Sequence, residues 1–136
     1  MRRAARVYLI VVSILNGLAG LVCGVLFIAS PDGSLMGFQP LIAVVQSLPL
    51  ADIFFRDLWW IGVAMLLLLA VPNLAATVML FRRGAHEYHV TLAAAALLML
   101  WCGFEIVFMF NVAAVGYFLV GAISAFCSVL LLRTRR

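Results

Sequence analysis

Of the five acidic side chains in this 136-residue chain, one, Glu105, falls inside a long apolar stretch. A carboxyl at membrane depth costs on the order of 3 kcal/mol by insertion scales, so an acid kept there either works or is held by a polar partner. Two chemistries follow. Leu98, Trp101, Cys102, Glu105, Phe108 and Met109 share one helix face by their i, i+3, i+4 and i+7 spacing. A carboxyl, an indole and a thioether on one face would suit a lipophilic cation or a proton-linked solute. Alternatively Glu105 hydrogen-bonds Tyr117, Asn111 or a neighbouring loop and staples two helices together, and the stripe is plain packing.

A second polar set is uncharged. Asn16, Asn73 and Ser124 all stand well inside apolar runs at similar depth, and together they would form one buried layer tying three helices by hydrogen bonds. Such bonds contribute about 0.6 to 2 kcal/mol each in a membrane. His86, Glu87, Tyr88 and His89 lie between apolar runs beside Arg82 and Arg83, and read as a solvated interfacial loop rather than a metal site. The chain has no HExxH pair, no phosphate-binding glycine loop and no nucleophile motif. Cys23, Cys102 and Cys127 form no CxxC pair and read as small buried hydrophobes. A protein without catalytic chemistry, metal or cofactor is the expectation.

The elements that must position these residues are set by composition. With 68% hydrophobic residues and a mean hydropathy of +1.25, the chain lies far from the roughly 45 to 50% apolar content of a soluble domain. Apolar runs at 7–29, 58–81, 90–110 and 112–132 are each long enough to cross a hydrocarbon core, which needs about 20 helical residues. The expected fold is therefore all-α, a single domain over 1–136 forming a four-helix transmembrane bundle. The first run is too long for a cleavable leader and is read as a mature helix. Asn111 alone separates the third and fourth runs, so they must form a tight antiparallel hairpin.

Residues 30–57 make a loop longer than a bundle needs. Pro31, Asp32 and Gly33 signal a turn. The segment 40–48, too apolar for water and too short to span, reads as an interfacial helix opened by Pro40. Asp52 is expected to N-cap an extension of the second span. Pro72 removes a helical hydrogen bond and should kink that span. Gly20 and Gly24 form a GxxxG pair that permits close packing, within the bundle or in a homodimer. Gly121 with Ala125 does the same on the fourth span.

All nine basic residues are arginine, and they flank apolar runs instead of forming a polar face, which argues against nucleic acid and for the lipid bilayer as the chain's partner. Alternating spans put Arg2, Arg3, Arg6, Arg82, Arg83, Arg133, Arg135 and Arg136 on one side and Arg56 alone on the other. The positive-inside rule makes the first side cytoplasmic, in a multi-pass protein of a bacterial plasma membrane.

Four segments, PDGSLMG at 31–37, LPLADIFF at 48–55, WCGFE at 101–105 and GYFLVGA at 116–122, resemble a broad family of small four-helix bacterial membrane proteins, loosely DoxX-like in layout. The resemblance implies the architecture, with an acidic or amide residue of the third helix followed by an aromatic-rich hairpin, and implies no activity. The functional expectation is a non-enzymatic bundle that binds lipid or a membrane-protein partner. The alternative is a small proton-linked transporter or channel using Glu105, which would need a dimer to enclose a path. Orientation is directly testable: a cysteine replacing Ser34 is expected to react with an impermeant thiol reagent in intact cells, and one replacing Ala85 is not. The opposite labelling pattern would reverse the assignment.

Overall fold

A computed structural model describes residues 1–135 as an all-α bundle whose four long helices each meet the length and hydropathy of a membrane span. The first span, α1 (Arg2–Ala29), leads into a loop containing a 3-10 turn at Ser34–Met36, a short helix α2 (Gln39–Gln46) and a single helical turn α3 (Ala51–Phe54). The second span is composite: α4 (Trp59–Met65), a π-helical stretch at Leu66–Ala70, and α5 (Val71–Arg82). The third and fourth spans are α6 (Glu87–Phe108) and α7 (Val112–Arg135). The α6–α7 hairpin is the most extensively packed pair, and α1 lies against α4, α5 and α7.

Helix α1 turns small and polar residues inward and most of its large apolar residues outward, Leu9 and Phe27 excepted. Ser13, Asn16, Gly17, Gly20 and Gly24 are buried, whereas Val7, Val11, Leu15, Leu18, Val22 and Val25 are exposed. Lipid is as apolar as leucine, so helices gain by approaching closely over small side chains rather than by hiding large ones. The Gly20–Gly24 pair is therefore used inside the protomer. A Cβ at Gly20 would stand 2.8 Å from the Leu69 Cβ and 2.9 Å from the Ala70 nitrogen, and one at Gly24 would stand 2.9 Å from the Gly62 carbonyl oxygen. That face of α1 is occupied by the second span, so a homodimer would have to use another.

Where a kink is expected near Pro72, the second span departs from α-helical bonding in the π stretch that ends at Ala70. Pro72 has no N–H for the Leu68 carbonyl, and its ring presses on that carbonyl; widening the preceding turn relieves both. Asn73 repairs part of the ladder, its Nδ2 donating to the Leu69 carbonyl at 2.8 Å.

At the loop end, the short helix expected at 40–48 is α2, which starts one residue earlier and ends two residues earlier, and it drops Val45 into a core with Phe27, Leu48, Leu58, Ile61, Leu98 and Trp101. The loop is tied back where the Leu58 N–H donates to the Pro31 carbonyl at 2.9 Å. Gly33, at φ +74°, has no room for a side chain against Leu58 and Phe38. The Asp32 carboxylate accepts from the Ser30 hydroxyl at 2.7 Å and the Ser34 N–H at 3.0 Å, which holds its pKa below the ordinary aspartate value. The expected cap at Asp52 is not formed: α3 stops at Phe54, and Asp57 instead accepts from the Trp59 N–H at 2.9 Å to open the second span. The tight hairpin is built by Asn111, whose Oδ1 accepts from the Ala114 N–H at 2.7 Å while Nδ2 donates to the Met109 carbonyl at 3.1 Å.

Because backbone blocks the Cβ position at Gly20, Gly20→Ala is expected to destabilise the bundle by about 1–3 kcal/mol. Gly116→Ala, at a site with no neighbour within 4 Å, should be neutral in the same equilibrium unfolding measurement in detergent. Equal effects of the two would contradict this account of the α1 interface.

Candidate functional site

The four spans converge on a carboxylate that their sequence had placed in solvated loop. Glu87 is fully buried, with 0% of its surface exposed. It occupies the first position of α6, since the helix begins three residues earlier than its apolar run. Arg6, from the first turns of α1, holds it with both guanidinium nitrogens: Nη1 donates to Oε1 at 2.8 Å and Nη2 to Oε2 at 2.9 Å. Arg135, near the end of α7, donates from Nη2 to the same Oε1 at 2.8 Å. These are the ion pairs among the described residues.

Both arginines also bind backbone. Arg6 Nη2 donates to the Leu80 carbonyl in the last turn of α5, and Nη1 donates to the Tyr88 hydroxyl at 2.8 Å. Arg135 Nη1 donates to the Ala85 carbonyl at 3.3 Å in the turn joining α5 to α6. The Tyr88 ring lies 5.9 Å from the Arg6 guanidinium carbon and 4.9 Å from that of Arg135. One constellation thus takes groups from α1, α5, α6 and α7. The start of a helix also favours an anion through its unpaired N–H groups.

The same end carries Arg2, Arg3, Arg82, Arg83 and Arg133 as well; Arg136 lies outside the described residues. A shallow cleft of about 260 Å³ is lined by Arg2, Arg3, Arg6, Tyr88, Leu131, Thr134 and Arg135. A second, of about 390 Å³, shares Arg135 and is lined also by Ala85, His89, Val129, Leu132 and Arg133.

The residues singled out by sequence are dispersed by comparison. Glu105 is half-buried at the loop end of α6 without an ion pair, and Trp101 and Asn111 are the polar groups that approach its carboxyl. Tyr117 is 47% exposed on the outside of α7. The proposed stripe divides: Leu98, Trp101 and Cys102 belong to the core, whereas Phe108 is exposed. Trp101 stacks on Phe104, which stacks in turn on Phe55 of the loop.

The polar layer does not link helices as expected. Asn73 and Ser124 bond carbonyls four residues back in their own helices, and the Asn16 Nδ2 is buried without a partner among the described residues. For Asn73 and Ser124 the helix offers a local carbonyl at short range, and that wins over a distant side chain. The cross-helix bonds lie nearer the arginine end, where Ser128 donates to Thr91 at 3.0 Å and Tyr8 donates to the Val120 carbonyl at 3.2 Å.

Glu87 was missed because hydropathy windows end at charges, so its segment looked like a turn. One signal pointed to it: Glu87 is the single acid on the side that carries the arginine clusters. No family model matches the chain, and neither curated proteins nor solved structures gave a match.

Removing one member of a buried ion pair costs about 3–5 kcal/mol, whereas an exposed pair contributes about 1 kcal/mol or less. Glu87→Ala and Arg6→Ala, whose parent side chains are 0% and 21% exposed, are expected to fall in the first range. Arg135→Ala, from a side chain 45% exposed, is expected near the second. Equilibrium unfolding in detergent decides the order, and an Arg135→Ala loss equal to that of Arg6→Ala would contradict it.

Proposed function

We propose that this chain is a non-enzymatic membrane bundle that binds lipid or a membrane-protein partner, in a bacterial plasma membrane with its arginine-rich end in the cytoplasm. The observation that carries this reading is where the polar chemistry goes. The strongest constellation, Glu87 with Arg6 and Arg135, is engaged in holding helices together. Asn73, Thr77 and Ser124 bond carbonyls of their own helices. What the bundle offers to its surroundings is surface: an apolar belt, exposed Trp59, Trp60, Phe108 and Phe110 at the loop end, and arginines at the other. The bias of arginine to one end supports the orientation.

The alternative is a proton-linked transporter or channel, favoured by the half-buried Glu105 with its indole and amide neighbours. The two readings separate experimentally. Purified in mild detergent, the protein is expected to carry a stoichiometric partner or an enriched lipid class, and Glu105→Gln to retain it. Emergence alone, with lipid in bulk proportion, would remove the main support. In vesicles with a pH gradient and a lipophilic cation, flux lost in Glu105→Gln would favour the transporter instead.

A further inference from the structure

We infer that the cleft between the start of α1 and the end of α7 is a binding site for the phosphate of an anionic phospholipid. This names the lipid of the reading above and rests on it.

Three features of the cleft point to such a ligand. The first is charge. Arg2, Arg3, Arg6 and Arg135 line it, and Glu87 is the acid that faces them from α6. Four guanidiniums against one carboxylate leave a net charge of +3. Arg6 and Arg135 are anchored by Glu87 and by backbone carbonyls, so they present fixed positive charge at the floor. Arg2 and Arg3 are exposed, enter no hydrogen bond among the described residues, and can close over a ligand from the rim. Planar guanidiniums match phosphate oxygens in a bidentate way.

The second is an available donor. The buried Tyr88 hydroxyl accepts from Arg6 at 2.8 Å and, among the described residues, gives its own proton to nothing. Tyr88 is one of the residues lining the cleft, and a phosphate oxygen bound there would be the acceptor for that proton.

The third is the surface below. Arg3, Val7, Val11 and Leu15 follow one another at four-residue spacing on α1, and Val7, Val11 and Leu15 are exposed. A guanidinium at the head of a lipid-facing apolar stripe suits an amphipathic ligand whose phosphate stays in the cleft while its acyl chain runs down the helix. Free phosphate would use the same arginines without the stripe.

The probe is a mixture of phosphatidylglycerol and phosphatidylcholine with identical acyl chains, presented to the purified full chain in neutral detergent, with retained lipid counted by native mass spectrometry. The expected result is preferential retention of phosphatidylglycerol. Arg2→Gln/Arg3→Gln, which leaves the Glu87 contacts intact, should cut that preference by about tenfold or more. Arg82→Gln/Arg83→Gln removes the same charge from the same end outside the cleft and should leave most of the preference. Equal loss in both double variants would reduce the effect to general surface charge and overturn the site. So would absence of any preference in the parent. Inorganic phosphate at the concentration of the lipid should not displace it; if it does, the lipid assignment fails. A stoichiometric protein partner found alongside no lipid preference would sink this inference while leaving the broader reading standing.

Discussion

The arrangement of this bundle depends on one carboxylate that water cannot reach. An ionised Glu87 is tolerable in its buried position only because two guanidiniums replace the lost hydration. Those guanidiniums come from residues 6 and 135, near opposite ends of the chain, and each also reaches backbone in or beside the α5–α6 turn. Tyr88 sits against both cations, filling the space between them with an aromatic face. The pairing therefore specifies which helix ends must come together, and a register slip of one residue on α1 would take the bidentate partner from a buried charge.

The opposite end is held by different physics. There the chain relies on close backbone approach at Gly24 and Gly62 and on a loop that folds Val45 and Leu58 under itself, while Gly20 and the π stretch before Pro72 meet at mid-span. Two consequences bear on function. In the interior Asn73, Thr77 and Ser124 turn onto carbonyls of their own helices. Eight of the nine arginines flank the other end in sequence, where clefts open to the surface. A molecule built this way meets its surroundings at its ends and along its lipid-facing belt.

Much of the architecture was legible in the sequence because membrane solvation imposes it. Four spans, the Asn111 hairpin and the short α2 follow from run length and from the isolation of single polar residues. What escaped was everything that depends on pairing between distant positions. Arg6, counted only as an orientation signal, is a structural ligand. Glu87, bracketed by histidines and arginines, looked like loop because its charge ended the apolar window, yet α6 continues through it. Asn16, Asn73 and Ser124 were placed at a common depth correctly enough to be buried, but depth carries no information about which neighbour a side chain will choose. Glu105 drew attention by being alone in an apolar run, whereas the acid that organises the helices stood where charges are ordinary.

The central claim is that Arg6 and Glu87 act as a unit, and a double-mutant cycle tests it most directly. Equilibrium unfolding in detergent would be measured for the parent, Arg6→Gln, Glu87→Gln and the double variant. Each single change leaves one buried charge without its main partner, whereas the double change removes both. The account predicts that the double variant loses less than the summed single losses, by a coupling of about 1–3 kcal/mol. Losses that add to within about 0.5 kcal/mol would contradict it, and would mean that the two residues stabilise the bundle independently.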